Sequence, residues 1–230
     1  MIKDLPGQIN LVFILTTIVC CILFLKAARY NPILVLLIAG ILLFECVLGL
    51  TGFYTDPDSG KYRLPFLILP SLLMIGIVFM TKSGRRFTER LSLKSLTWIH
   101  VVRIPVEFVL HWLFLNRMVP DVMTFEGANY DILSGLYTPV IIMFGFRKRF
   151  GRRRWLIIWN CLCLALLLNV IILSILAGPA TFAHFGFSQP NKAVLFFPFV
   201  WLPSCIVPIV LYAHLAALFK LVRYRGDFVS

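Results

Sequence analysis

The chain has 230 residues, of which 60% are hydrophobic and 14% charged, and its mean hydropathy is +0.91. That composition excludes an ordinary soluble domain and a disordered chain, and it specifies an all-α, polytopic membrane protein. The formal charge of +12 does not imply nucleic acid as a partner, because the basic residues gather in alternate short loops, as the positive-inside rule requires.

The N-terminal residues MIKDLPGQ are nearly neutral. The first apolar run, 9–25, is followed by Lys26 and Arg29 and shows no A-x-A cleavage site. It reads as an uncleaved span with the N-terminus outside. The second span, 33–53, follows Pro32 and carries Glu45. A polar, turn-rich loop over 54–63 leads to the third span, 64–80, whose outer end should bend at Pro65 and Pro70. The loop 81–94 holds Lys82, Arg85, Arg86, Arg90 and Lys94 against Glu89. The fourth span is 95–115, with Trp98 and Trp112 at its two interfaces.

The next stretch, 116–131, is acidic and runs without a clean break into the fifth span. From Ile132 that span has only about 15 apolar residues where about 20 are needed. The helix is therefore expected to start upstream, over 122–146, and to take Glu126, Asn129 and Asp131 into the outer membrane zone. A re-entrant segment is the other reading. The loop 147–154, RKRFGRRR, is a topology anchor against anionic lipid headgroups. The sixth span, 155–177, carries Asn160 and Asn169, and a Gly/Pro-rich loop with His184 and Lys192 follows. The seventh span, 193–219, contains Pro198, Pro203, Pro208 and His214, which implies a bent helix with freed carbonyls. The tail is basic.

These elements make one membrane domain over 1–230, a seven-helix bundle with its C-terminus cytoplasmic. The loops after spans one, three and five, together with the tail, hold 16 of the 22 Lys and Arg. All four segments fall on one side under this arrangement. No internal repeat is visible, which argues against an inverted-repeat carrier. The six cysteines all lie in apolar runs without C-x-x-C spacing, so they read as small buried residues and not as a disulfide framework.

The fourth span carries the unusual pattern. His100, Arg103, Glu107 and His111 fall within an arc of about 80° on a straight helix. Ionisable groups at membrane depth must face protein or water. Counted from the cytoplasmic ends at about 1.5 Å per residue, Glu45 and Glu107 sit roughly 18 Å up, with Asp131, Asn169 and His111 somewhat higher. Arg103 lies near 12 Å, and His100, His214 and Asn160 lie at about 7–8 Å. An outer carboxylate-rich layer and an inner histidine–asparagine layer result.

The expected site comprises Arg103, Glu107, His111 and Glu45 between spans two, four and five, with Glu126 and Asp131 above and His100 below. Its expected work is binding or passage of an ion, a proton or a small polar ligand. The alternatives are a membrane-embedded enzyme, metal-dependent or lipid-modifying, and a structural subunit. An Arg103–Glu107 pair at i,i+4 that merely neutralises itself is the simplest structural role. No tight metal motif such as H-E-x-x-H occurs. A two-haem layout would need His100 and His111 with His214 and His184 as partners. The cofactor is unknown on these grounds, and a retinal lysine is absent from the middle of span seven, where Lys192 and Lys220 bracket the run.

The stretches WIHVVRIPVE (98–107) and MTFEGANYDI (123–132) resemble a pattern found in uncharacterised bacterial integral membrane proteins. The resemblance implies a bacterial inner membrane and no assigned activity. It hands over no site residues.

Overall fold

The computed structural model describes residues 2, 5–56, 63–146, 152–178 and 187–223. Parts of the loops 54–63, 147–154 and 178–192, with His184, and most of the basic tail lie outside the described residues. Among those described, the regular elements are helical and no strand occurs.

Helix α1 is Gly7–Ala27 and α2 is Pro32–Leu50. Asn31 starts α2 by accepting from the backbone N–H groups of Ile33 (3.0 Å) and Leu34 (3.3 Å), with Pro32 supplying a pre-set first turn. Helix α3 is Pro65–Met80. The Thr81 hydroxyl caps the next helix, α4 (Lys82–Arg90), by accepting from Gly84 N at 3.1 Å. Helix α4 turns 93° away from α3. Helices α5 (Leu93–Ile99) and α6 (Arg103–Leu115) form one rod through a tight 3-10 turn at His100–Val102. Pro105 has no N–H for the carbonyl of Val101, and the helix tightens just before it.

Helix α7 is Ile132–Val140, continued by a wide turn over Ile141–Gly145. Helix α8 is Arg152–Leu176, and α9 is Val207–Arg223 after a wide turn at Leu202–Ile206. Pro208 leaves the carbonyl of Ser204 without its helical donor, and the Ser71 hydroxyl of α3 donates to it at 2.6 Å. The freed carbonyl expected from the proline-rich seventh span thus becomes the pin between two helices.

Among the described residues, five elements are long and apolar enough to cross a bilayer, or six if the bent α3–α4 pair counts as one. Their outer surfaces carry exposed side chains such as Leu36, Leu43, Leu162 and Ile175, the coat expected of a lipid-facing protein. The apolar stretch of α7, Ile132–Gly145, is shorter. Two expected boundaries differ. The fifth span, placed at 122–146, is helical only from Ile132, because 116–131 folds as turns around a short 3-10 segment at Asp121–Met123. The seventh, placed at 193–219, becomes a continuous helix only from about Leu202. Pro198 and Pro203 remove the amide donors that an earlier start needs.

The basic segments do meet at one end of the bundle. Ser92 N donates to Ala27 O (3.2 Å), Lys220 to Glu89 O (2.9 Å) and Leu91 O, and Arg153 to Leu221 O and Val222 O. At the other end, Lys192 N and Ala193 N donate to Met118 O at 2.9 and 3.1 Å. Of the cysteines, Cys21 and Cys205 touch at 3.7 Å between sulfurs, and all six are free.

Gly135 sets how closely α7 approaches the rod. A Cβ there would stand 2.7 Å from Cγ1 of Ile104 and 3.2 Å from the carbonyl of His100, whereas a Cβ at Gly76 meets nothing within 4 Å. Gly135→Ala is therefore expected to destabilise by about 1–3 kcal/mol despite the better helix propensity of alanine. Gly76→Ala should be neutral or stabilising. Thermal unfolding of the two variants in detergent checks this, and equal melting would refute the close-packing account.

Candidate functional site

Arg103 is the first residue of α6 and is 3% exposed. One amino group of its guanidinium donates to Asp131 Oδ1 at 2.6 Å and to the carbonyl of Cys163 at 3.3 Å. The other lies 2.9 Å from His214 Nε2. A guanidinium only donates, so His214 must accept at Nε2. Its Nδ1 then carries the hydrogen and donates to Asn160 Oδ1 at 3.0 Å, and Asn160 Nδ2 donates to Leu156 O at 2.8 Å. The direction of every bond in this chain follows from the one residue that has no lone pair to offer. The His100 ring lies flat on His214, with centroids 3.9 Å apart and planes 11° apart, and meets Trp159 edge-on at 5.3 Å.

The outer side is built by the turns before α7. Asn129 is fully buried, and its Nδ2 donates to Glu107 Oε1 at 2.7 Å and to Met123 O at 3.0 Å. Its Oδ1 accepts from Asp131 N at 3.0 Å, which places the Asp131 carboxylate beside Arg103. Ser134 adds a contact to the same carboxylate at 3.5 Å. Several buried atoms of this cluster have no hydrogen-bond partner among the described residues: Arg103 Nε and Glu107 Oε2, and behind them His100 Nδ1 and Trp159 Nε1.

Arg103 and Glu107 line a cavity of about 510 Å³. Apart from Arg103, Glu107 and Asp131, its polar lining is limited to Ser174 and Asn191 at the far end, where Asn191 Nδ2 donates to Ser174 Oγ at 2.8 Å. The remaining wall is aliphatic, including Val106, Leu110, Leu167 and Ile206. Leu69 of α3 and Ile175 of α8 stand on the rim and are 49% and 63% exposed. The cavity therefore opens sideways between those two helices.

A family model for the domain of unknown function DUF8737 matches residues 63–222. The chain belongs to this family. No curated protein and no solved structure matches the chain. The matched stretch takes in Arg103, Glu107, Asp131, Asn160 and His214, and begins after α1, α2 and Glu45.

Of the residues expected in the site, Arg103, Glu107 and Asp131 share the cavity, and His100 stands behind Arg103 against His214. Glu45 does not join them. It accepts from the Tyr54 hydroxyl at 2.8 Å, and α2 packs on α1 and on the Leu202–Ile206 turn. His111 faces Phe125, with centroids 5.0 Å apart, and lies 3.8 Å from Glu126, whose side chain is 57% exposed. The centre thus lies among α3, α6, α8 and the approach to α9, and not between spans two, four and five. The i,i+4 pair is not formed either: Arg103 pairs with Asp131, and no ion pair among the described residues joins it to Glu107.

Sequence reasoning put His214 and Asn160 at the depth of His100 without making them partners of Arg103. Their shared depth was the available signal. Tyr54 and the Cys163 carbonyl gave none. Among the described residues, no group of three or more His, Cys, Asp or Glu gathers as a metal shell would. The proposed two-haem layout fails on geometry, because His100 and His214 stack ring on ring instead of facing each other across an iron.

Removing one member of a buried pair strands the other. Arg103→Met is expected to cost about 3–5 kcal/mol, and Arg103→Met with Asp131→Leu should recover part of that loss. Thermal unfolding of the single and double variants measures the coupling, and a double variant no more stable than the single would show that Asp131 does not depend on Arg103.

Proposed function

We propose that the protein binds a small amphiphile drawn from the surrounding bilayer, with the polar head at Arg103 and Glu107 and the tail along the aliphatic wall. The observation that carries this reading is that buried polar atoms without partners belong to residues of the cavity lining. A buried donor and a buried acceptor without partners, Arg103 Nε and Glu107 Oε2, belong to residues that line the same apolar space. Leaving such groups unsatisfied costs about 1–3 kcal/mol each, and a ligand that satisfies both removes that cost. A free donor at Arg103 and a free acceptor at Glu107, with a second free acceptor at Asn191 Oδ1 at the far end, match a hydroxyl or another uncharged head that both accepts and donates. Two carboxyl groups against one guanidinium in the lining disfavour an anionic head.

Two features favour binding over ion or proton passage. The wall is aliphatic for most of its length. The lone pair of His214 Nε2, which a relay would need, is occupied by a permanent cation.

The wider setting of the proposal is a seven-span protein of a bacterial inner membrane, with its N-terminus outside and its basic end cytoplasmic. Its support is that α3 and α7, although short, run between the same two ends as the longer helices. Ile141 and Phe146 pack with Leu93 and Leu221 at the basic end, and the positive-inside rule orients that end. In a background without native cysteines, Ser188→Cys on intact cells is expected to react with a membrane-impermeant maleimide. Ser83→Cys should react only after permeabilisation, and the opposite pattern would invert the topology.

For the ligand, the probes are 1-decanol, decanoate and decylamine, read by thermal unfolding in nanodiscs. Decanol is expected to raise the melting temperature of the native protein most. Ile206→Trp, which fills the cavity, should abolish that difference while leaving any general effect of the probe on the bilayer. A preference for decanol that survives Ile206→Trp, or no preference for it in the native protein, would overturn the reading.

A further inference from the structure

At the basic end, α4 turns through 93° and leaves a second cavity, of about 680 Å³, between itself, α3 and the α1–α2 turn. Arg29, Arg86 and Arg90 line it, and no Asp or Glu does. Among the described residues, none of these three guanidinium groups has a hydrogen-bond or ion-pair partner. Their neighbour Arg85 is different: it donates to the carbonyls of Phe79 (2.9 Å) and Met80 (3.0 Å) and closes the end of α3. The acid on α4, Glu89, is not part of this lining: it meets Arg223 at 3.6 Å and lines a separate, smaller cavity that Arg86 also borders. Three free guanidinium groups thus converge on one space from two parts of the chain.

The position of Arg29 is imposed at a cost. Arg29 and Tyr30 have φ of 53° and 54°, in the left-handed region that residues with a Cβ avoid. That turn carries Arg29 across to α4 instead of letting it follow the axis of α1.

The floor of the cavity is apolar. Leu34, Met74, Val78 and Phe87 belong to it and also to an adjoining crevice of about 80 Å³ between α2 and α3. The head space therefore continues into a slot lined by aliphatic and aromatic side chains. A cationic mouth over an apolar slot, at the end of a bundle coated with exposed leucines, is complementary to a phosphodiester carrying acyl chains.

We infer that Arg29, Arg86 and Arg90 form a binding site for one anionic glycerophospholipid, with its phosphate among the three guanidinium groups and an acyl chain in the crevice between α2 and α3. The site is separate from the Arg103 cavity and does not depend on what that cavity binds. It also differs from a general topology anchor, which needs basic charge at this end but no particular residues.

Native mass spectrometry of the detergent-purified protein, supplied with dioleoyl phosphatidylglycerol or dioleoyl phosphatidylcholine, tests the inference. One phosphatidylglycerol is expected to be retained in preference to phosphatidylcholine, and Arg86→Gln with Arg90→Gln should reduce that preference by about tenfold. Lys94→Gln with Arg154→Gln removes the same charge from basic-end residues that do not line the cavity and should leave the preference intact. Arg86→Lys with Arg90→Lys keeps the charge and guards against misfolding; it should retain part of the preference. Equal retention of the two lipids overturns the site. Equal loss in the Lys94 and Arg154 variant reduces it to a general anchor. Displacement of the lipid by millimolar glycerol 3-phosphate would assign the cavity to free phosphate esters and overturn the lipid assignment.

Discussion

A guanidinium inside a bundle of this kind has no water to turn to, and the arrangement of the chain around Arg103 follows from that constraint. The group carries five donors and no acceptor, so it must be surrounded by oxygen and nitrogen lone pairs. The structure supplies them from three directions: Asp131 before α7, the Cys163 carbonyl in α8 and His214 in α9. One side chain of α6 therefore ties together the elements that pack around it. The cost of burying the charge is offset only while all three contacts hold, which makes the cluster a device for specifying one packing more than a source of net stability.

The same constraint explains why irregular backbone is tolerated at the end of the bundle opposite the basic segments. The stretch 116–131 lies between two apolar helices yet folds as turns, which is permissible only where its polar groups are met by protein. Asn129 accomplishes much of this, holding Glu107, the Met123 carbonyl and the Asp131 amide at once. Gly127 allows the turn to close, since a Cβ there would stand 2.3 Å from the Asp121 carbonyl. The broken start of α9 is resolved in the same way, with the Ser71 hydroxyl taking the place of the amide that Pro208 lacks.

How far the sequence was legible depends on which physical signal each feature uses. Uninterrupted apolar runs mark helices well. The expected 9–25, 33–53, 64–80, 95–115 and 155–177 correspond to Gly7–Ala27, Pro32–Leu50, Pro65–Met80, Leu93–Leu115 and Arg152–Leu176. Hydropathy cannot distinguish helix from apolar coil, so it extends the seventh helix over 193–201, where Pro198 and Pro203 remove helical donors. The stripe on the fourth span was read on a straight helix. The 3-10 turn at His100–Val102 advances about 120° per residue instead of about 100° and so rotates His100 relative to the three residues that follow it; along the regular α6 each i,i+4 step drifts by about 40°, and His111, two steps from Arg103, ends against Phe125. Partner choice was the least legible feature. Glu107 lies four residues from Arg103 in sequence, yet Asp131 wins because Asn129 and the turns before α7 deliver its carboxylate, and that is a long-range event with no periodic signature.

The two cavities differ in what a single helix does for each. The first turns of α3 line the Arg103 cavity, through Pro65 and Leu67 to Leu69, and the last turns of α3 floor the arginine-lined cavity, through Met74 and Val78. Helix α3 has only 16 residues and is held to the approach to α9 by a side-chain bond at Ser71, about midway between the two. Ring contacts add to that hold, Phe66 with Phe53 near the start and Phe79 with Tyr212 and Phe219 near the end. Elements with few buried contacts sit at the low-stability end of a fold, and in α3 the described buried residues are Leu67 and Ser71 alone. The wall shared by the two cavities is thus thinly buried, and the Ser71–Ser204 bond with these ring contacts is what holds it to its neighbours.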